Sequence, residues 1–177
     1  MASRSETPNL SRRRLLQAAA IVPAVAIPTL AVASPANAAY RGTITRDEVM
    51  TRARNWFTEG VQYDQGSTYP DIEGTHRYRT DCSGFVSMAW HTSTPGHSTR
   101  HIPEIADRIQ WDQLKPGDVL NSYDNHCMLY HMWESPGWIW IYDLASPSSD
   151  MRHIKVFTDD LRDQNYIPRR YRNIRDN

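Results

Sequence analysis

Apolar positions in the first part of the chain follow the period of an α-helix. Four of them share one helical face: Val49, Ala53, Trp56 and Phe57. Thr45, with Glu48 three residues later, forms a capping box, and Gly60 is placed to end the helix. The pattern therefore predicts a helix that begins just after Thr45 and ends before Gly60.

A second helical pattern begins at Cys82. Its apolar face is made by Phe85, Val86, Ala89 and Trp90, and Asp81 is a candidate N-cap residue. Cys82 then lies at the first position of a buried helix, where free N–H groups and the positive end of the helix dipole favour a thiolate. The position therefore predicts a cysteine with a lowered pKa.

The second half of the chain alternates apolar runs with turn signals. Residues 126–133 and 138–145 are β-favouring runs on either side of residues 134–137, which predicts an antiparallel hairpin. A Pro-Gly turn leads into an earlier strand, and residues 152–157 predict a later one. The expected fold class is α+β, with the cysteine at the N-terminus of a helix that packs on an antiparallel β-sheet.

Two other segments give weaker signals. Residues 61–79 are polar and punctuated by Gly and Pro, which predicts a long surface loop. The tail at residues 165–174 predicts a short edge strand, because Pro168 cannot donate to a sheet ladder.

The N-terminal 38 residues have the pattern of a cleaved export signal. Paired arginines at Arg12 and Arg13 precede a modest apolar stretch and a small-residue site that ends at Ala38, and the order looks like a twin-arginine signal. Pro23 and Pro28 argue against a membrane anchor. We therefore expect residues 39–177 to form one domain, secreted or held in the cell wall.

Composition excludes several classes of protein. The whole chain has 20 basic and 20 acidic residues, and removal of residues 1–38 leaves 16 and 19, a net charge of −3, which argues against a nucleic-acid binder. Three histidines at His91, His97 and His101 share no acidic or cysteine ligand at metal-binding spacing, so we expect no metal site. Nothing indicates a cofactor, and the sequence is silent on oligomeric state.

A reactive cysteine needs a base, and His126 begins the first hairpin strand. In a two-layer domain the helix start that carries Cys82 can face the start of that strand, which allows a thiolate–imidazolium pair. The alternative is that His126 is only a polar strand end.

Three stretches resemble the NlpC family of papain-like cell-wall cysteine peptidases. They are Asp-Cys-Ser-Gly-Phe-Val at 81–86, Leu-Lys-Pro-Gly-Asp-Val at 114–119, and His126 at the head of an apolar strand. The resemblance implies the papain-like NlpC fold and hydrolysis of amide bonds in peptidoglycan stem peptides, commonly as a glutamyl endopeptidase and in other members as an amidase. It implies peptidoglycan or a related peptide as the substrate.

Carried over by position, the resemblance implies a role for each matched residue. Cys82 resembles the nucleophile and His126 the general base. Tyr63, Asp81 and Ser83 resemble residues that line the substrate's side of the cleft, although Asp81 and Ser83 also suit helix capping and Tyr63 suits loop packing.

The third catalytic residue has no clean match, and Asp143 is the first choice. A hairpin turn centred between Glu134 and Ser135 would place Asp143 opposite His126, whereas a turn centred on Pro136 and Gly137 is expected to leave it too far for a direct hydrogen bond. His153 or a backbone carbonyl would then orient the histidine.

Cys127 supplies the rival hypothesis. A Cys82–Cys127 disulfide would make the chain a non-catalytic secreted module that binds a cell-wall peptide or a protein. Neighbouring strand residues point to opposite faces, so if His126 faces Cys82 we expect Cys127 to be a small buried residue that faces away.

Overall fold

The computed structural model describes residues 39–176, so the predicted export signal at residues 1–38 lies outside the described residues. The described part is a mixed α/β fold with a mostly antiparallel sheet and few helices. Among these residues, no helix is long and apolar enough to cross a membrane.

The first helix, α1, spans Arg46–Thr58 and confirms the capping-box prediction. The Thr45 hydroxyl accepts from the Glu48 N–H, and the Glu48 carboxylate accepts from the Thr45 N–H at 2.8 Å. Such a cap contributes about 1 kcal/mol. The predicted apolar face is buried except for Phe57, which is 41% exposed because it lies at the rim of the face and packs against Tyr142.

Six strands form one sheet in which every neighbouring pair is antiparallel. Along the chain they are β4 (Ala106–Arg108), β5 (Val119–Ser122), β6 (His126–Ser135), β7 (Trp138–Leu144), β8 (Met151–Phe157) and β9 (Ile167–Tyr171). Their order across the sheet is β4-β9-β5-β6-β7-β8. The predicted hairpin is therefore β6–β7, and the strand predicted at residues 152–157 is β8.

The remaining elements flank this sheet. Strand β1 (Ile44–Thr45) pairs in parallel with β10 (Ile174–Arg175). Three further helices are α2 (Cys82–Ala89), α3 (Ile102–Ile105) and α4 (Thr158–Asp163), and a 3-10 turn covers Trp111–Gln113.

The prediction of a long loop at residues 61–79 is wrong. The segment forms a separate hairpin of β2 (Asp64–Pro70) and β3 (Arg77–Thr80). Residues 64–68 of β2 are exposed, so the segment lacks the apolar alternation by which a half-buried strand is recognised.

The sequence predicts an edge strand in the tail, and this prediction is wrong. The tail strand β9 lies between β4 and β5. Pro168 is tolerated there because β4 ends at Arg108, which pairs with Arg169 and leaves Pro168 beyond the end of its neighbour.

The sheet has an apolar cluster on each face. On one side α1 and α2 pack against Cys127, Leu129, Tyr142 and Leu144, with Trp56, Phe85 and Trp90 fully buried. On the other side α4 and Tyr166 cover Met128, Tyr130, Ile139 and Ile141. The β6–β7 hairpin thus contributes alternate residues to both clusters, as strand geometry requires.

The Pro-Gly-Asp turn before β5 joins three elements through a buried carboxylate. Asp118 has no solvent exposure, and its oxygens accept from Arg46 of α1 at 3.1 Å and from Arg170 of β9 at 2.8 and 3.0 Å. The turn therefore anchors the start of β5 and, through it, the position of His126 at the start of β6.

Candidate active site

The start of α2 places Cys82 at the mouth of a cleft. Asp81 is the N-cap, and its Oδ1 accepts from the Gly84 N–H at 2.6 Å, which confirms the predicted cap. Position 84 requires glycine, because a Cβ there would overlap the carbonyl oxygen of Arg79 in β3. The Asp-Cys-Ser-Gly stretch therefore lets β3 pass close against the first helical turn and fixes the position of Cys82.

His126 and Asp143 are joined by a direct hydrogen bond. The His126 Nε2 lies 2.7 Å from Asp143 Oδ1, and the side chains are 16% and 1% exposed. This bond leaves Nδ1 as the ring nitrogen that faces Cys82, with which His126 shares a further hydrogen bond. The three residues predicted as catalytic are therefore brought together in the order thiol, imidazole and carboxylate.

The hairpin reaches this arrangement by a route that the sequence reasoning excluded. The turn is centred on Pro136 and Gly137, since Ser135 pairs with Trp138. The register then shifts between Trp133 and Ser135 and again between Tyr130 and Met132, because β6 carries two extra residues. These bulges make Asp143 a diagonal neighbour of His126, within reach of its side chain. The prediction that a turn at Pro136 and Gly137 leaves Asp143 too far from His126 for a direct hydrogen bond is therefore wrong.

The thiol and the imidazole change each other's ionisation. The pKa of Cys82 is lowered to about 5 by a hydrogen bond from Cys127 and, against the opposing effect of burial, by His126. Burial alone would lower the pKa of His126, but the hydrogen bonds to Asp143 and Cys82 outweigh it and raise the pKa to about 10. At neutral pH the pair is therefore a thiolate and an imidazolium, the reactive form of a cysteine nucleophile.

Cys127 does not face away from Cys82, which corrects the expectation from strand alternation. It is fully buried, as predicted, but it lies in the same apolar cluster as Cys82 and its thiol hydrogen-bonds the Cys82 sulfur. The reason is that α2 packs on the face of β6 that carries Cys127, while His126 reaches the sulfur from the end of the strand. Both cysteines are free thiols.

Arg152 holds the far side of Asp143 and was missed at the sequence level. Its Nε and Nη2 donate to Asp143 Oδ2 at 3.1 and 2.7 Å. The two residues are directly paired in the β7–β8 register, so a cross-strand pair of opposite charges was the signal available. The Arg152 guanidinium fixes the carboxylate that in turn orients His126.

His153, the fallback for the third position, has other partners. Its Nε2 lies 2.9 Å from His131 Nδ1, and its ring stacks on Tyr142 at 4.2 Å. Because Tyr142 and Asp143 are neighbours on a strand, His153 belongs to the opposite face from the His126–Asp143 bond.

The three residues predicted to bind substrate all line the cleft beside Cys82. Both Asp81 oxygens are engaged within the protein, because Oδ1 accepts from Ser83 at 3.0 Å and Oδ2 from Arg79 at 2.7 Å. Asp81 and Ser83 therefore serve the helix cap. Tyr63 is half-buried, and its hydroxyl accepts from Gln65 at 2.8 Å, which leaves it positioned to meet a ligand.

The cleft has a volume of about 880 Å³ and runs from the β2–β3 hairpin past the thiol toward the far ends of β7 and β8. Its mouth carries Tyr63 and Gln65, its floor carries Met128, Ile141 and Tyr166, and its far end carries Trp138 and Lys155.

The chain matches no protein-family model, no curated protein and no solved structure. The geometry around Cys82 is therefore the basis on which a function is argued.

Proposed function

We propose that the protein is a secreted cysteine hydrolase of the papain-like NlpC type that cleaves amide bonds in peptidoglycan stem peptides. The observation that carries the proposal is the Cys82–His126–Asp143 arrangement, in which a helix start, a buried imidazole and a carboxylate meet at an open cleft. The resemblance of residues 81–86 and 114–119 to that family supports the substrate class.

The proposed reaction is acyl transfer. The Cys82 thiolate attacks the scissile carbonyl carbon and forms a tetrahedral intermediate, whose oxyanion the N–H groups at the helix start stabilise. The intermediate collapses to a thioester while the His126 imidazolium donates its Nδ1 proton to the leaving amine. Neutral His126 then takes a proton from water as the water attacks the thioester. The second intermediate collapses, the acid is released, and the Cys82 thiolate is restored beside the His126 imidazolium.

Asp143 and Arg152 position the base in this scheme. Because Asp143 accepts from Nε2 and stabilises the imidazolium, the ring keeps Nδ1 directed at the sulfur throughout the cycle. The proposed reaction uses the side chains of Cys82 and His126, the backbone N–H groups at the helix start, and water.

Digestion of purified peptidoglycan tests the proposal. Wild-type protein should release peptide fragments that mass spectrometry assigns to one amide bond, and Cys82→Ala should lower the rate by at least about 10³-fold, because it removes the nucleophile. Equal rates for the two proteins would refute it.

Thiol labelling separates this function from the non-catalytic binding module. A peptide-mapped iodoacetamide reaction at pH 7 should modify Cys82 quickly and Cys127 slowly, because burial raises the pKa of Cys127 well above its usual value. Cys127 is thus an internal control within the same molecule. A native protein with no free thiol would instead support the disulfide-linked module.

A further inference from the structure

The end of α2 away from Cys82 gathers a second cluster of chemically active side chains. Asp71 lies in the turn between β2 and β3, His76 precedes β3, and His91 follows α2. One donor atom from each lies within 4.8 Å of the others. These residues come from separate parts of the chain, so the cluster is built by the tertiary fold.

The distances fit a tetrahedral metal ion. Asp71 Oδ2 lies 3.2 Å from His76 Nδ1 and 3.5 Å from His91 Nε2. Two ligands that each bind Zn²⁺ at about 2.0–2.1 Å in a tetrahedral site are separated by roughly 3.3 Å. The observed spacings therefore need little adjustment to receive an ion.

The carboxylate is already oriented as a single-oxygen ligand. Asp71 has no side-chain exposure, and its Oδ1 accepts from the N–H groups of Thr75 and His76 at 2.9 and 3.2 Å. Oδ1 is thereby fixed and Oδ2 is directed toward the two imidazoles, as an outer shell of hydrogen bonds does in metal sites.

The surroundings suit a cation despite one nearby guanidinium. Arg52 Nη2 lies 3.4 Å from Asp71 Oδ2, but its Nη1 donates to both Glu73 oxygens at 2.6 Å, so Glu73 offsets part of its charge. His91 directly follows the C-terminal end of α2, where backbone carbonyls favour positive charge. The ring of Tyr40 stacks on His76 at 3.9 Å and covers the cluster.

We propose that Asp71 Oδ2, His76 Nδ1 and His91 Nε2 bind one Zn²⁺ ion, with water as the fourth ligand. Imidazole and carboxylate ligands suit Zn²⁺, which such sites bind more tightly than Fe²⁺ or Mn²⁺. The Thr75 hydroxyl, 2.9 Å from His76 Nδ1, turns away when the metal binds. The ion joins the β2–β3 turn to the end of α2 and so braces the helix that carries Cys82 at its other end.

Zinc titration of the full-length chain tests this site. The protein carries Cys82→Ala, so that the thiol at the opposite end of α2 cannot bind the metal, and is stripped with a chelator before ZnCl2 is added. We expect one Zn²⁺ per chain by calorimetry, and a rise in Tm of about 5–10 °C at 100 times the Kd.

Two ligand variants and one control variant assign the ion to these residues. His76→Ala should remove both the stoichiometric binding and the Tm rise, whereas His101→Ala, which changes an exposed histidine of the neighbouring loop, should retain both. His91→Asn should behave like His76→Ala, and asparagine tolerates the positive φ of 54° at this position.

Each outcome of the titration either supports the zinc site or overturns it. Absence of stoichiometric binding in the Cys82→Ala protein overturns the site, and so does binding that survives in His76→Ala. Because the His76 side chain is 28% exposed, we expect His76→Ala to fold even if His91→Asn does not. The test measures zinc binding and thermal stability rather than peptidoglycan hydrolysis. Its result therefore does not depend on whether the proposed function is correct.

Discussion

The two ends of α2 each hold an aspartate bonded to histidine, yet they are built for different chemistry. At the N-terminal end Asp143 orients His126 beside a thiol, and the three groups open onto the cleft. At the C-terminal end Asp71 lies between two imidazoles with no nucleophile in the cluster. The same residue types therefore form the proposed catalytic pair in one place and the proposed zinc ligands in the other.

Helix polarity and the accompanying arginine explain the difference. The N-terminal end of a helix stabilises a thiolate, whereas the C-terminal end stabilises a cation. Arg152, which holds Asp143, is 38% exposed and lines the cleft, but Arg52 beside Asp71 is 3% exposed. The network of the proposed active site thus meets solvent, whereas the network around Asp71 is buried.

The largest expected effect comes from removing His126 at the N-terminal end of α2. His126→Ala should reduce peptidoglycan hydrolysis by about 10⁴-fold, because it removes the base and the charge that keeps Cys82 ionised. Alkylation of Cys82 at pH 6 should fall by about 100-fold as its pKa returns toward the ordinary value. Rates are measured by fragment release and by mass spectrometry of the labelled thiol.

His76→Ala is the matched control at the other end of the helix. It should leave the alkylation rate of Cys82 unchanged, because His76 lies beyond the last turn of α2 from the thiol. A comparable loss in both variants would show that the two ends act as one site and would refute the contrast drawn between them.

The next effect distinguishes orientation from charge at Asp143. Asp143→Ala should lower kcat/KM by about 10³-fold, because His126 loses the partner of its Nε2. Asp143→Asn keeps an oxygen acceptor and should lose much less at neutral pH. It should also move the basic limb of the pH–rate profile downward, since removal of the negative charge lowers the pKa of His126. Equal losses in the two variants would contradict an orienting role.

The active end of α2 was more accessible to sequence reasoning than the other end, for a physical reason. The capped helix at Asp81 and Cys82 and the strand that begins at His126 are set by local signals, and their meeting follows from a two-layer fold. The bulges of β6 were not visible, because nothing in residues 130–135 marks them. These bulges bring Asp143 within hydrogen-bonding distance of His126, which a regular hairpin with the same turn would not do.

The cluster at the other end was invisible because its members belong to unrelated patterns. In the sequence His91 is grouped with His97 and His101, its neighbours along the chain, whereas its partners in the fold are Asp71 and His76. Those two residues lie in the segment that the sequence predicts as a loop, and the β2–β3 pairing brings them to the end of α2. Tertiary contact between polar segments leaves no periodic trace in a sequence.

Loss of charge at Asp71 should affect stability rather than activity. Asp71→Asn retains an acceptor for the Thr75 and His76 N–H groups but leaves the buried Arg52 less compensated, which should cost about 2 kcal/mol, roughly 30-fold in the unfolding constant. Urea unfolding measures the loss, and kcat/KM of the folded protein should not change. Asp124→Asn, at an exposed ion pair, should lose less than about 0.5 kcal/mol.

The smallest effect concerns the contact between the two cysteines. Cys82 is ionised above its pKa of about 5 and His126 is protonated below about 10, so kcat/KM should rise through the first value and fall through the second. The Cys127 thiol stays protonated and donates to the Cys82 sulfur, which stabilises the thiolate.

Cys127→Ala removes that donor and should move the acid limb upward by about one pH unit, a loss of about fivefold at pH 5, while the basic limb stays in place. Cys127→Ser restores a donor and should return the limb toward the wild-type position. If both variants keep the wild-type acid limb, the helix end and His126 alone set the ionisation of Cys82. The contrast between the two ends of α2 then rests on helix polarity and on His126, and Cys127 has no part in it.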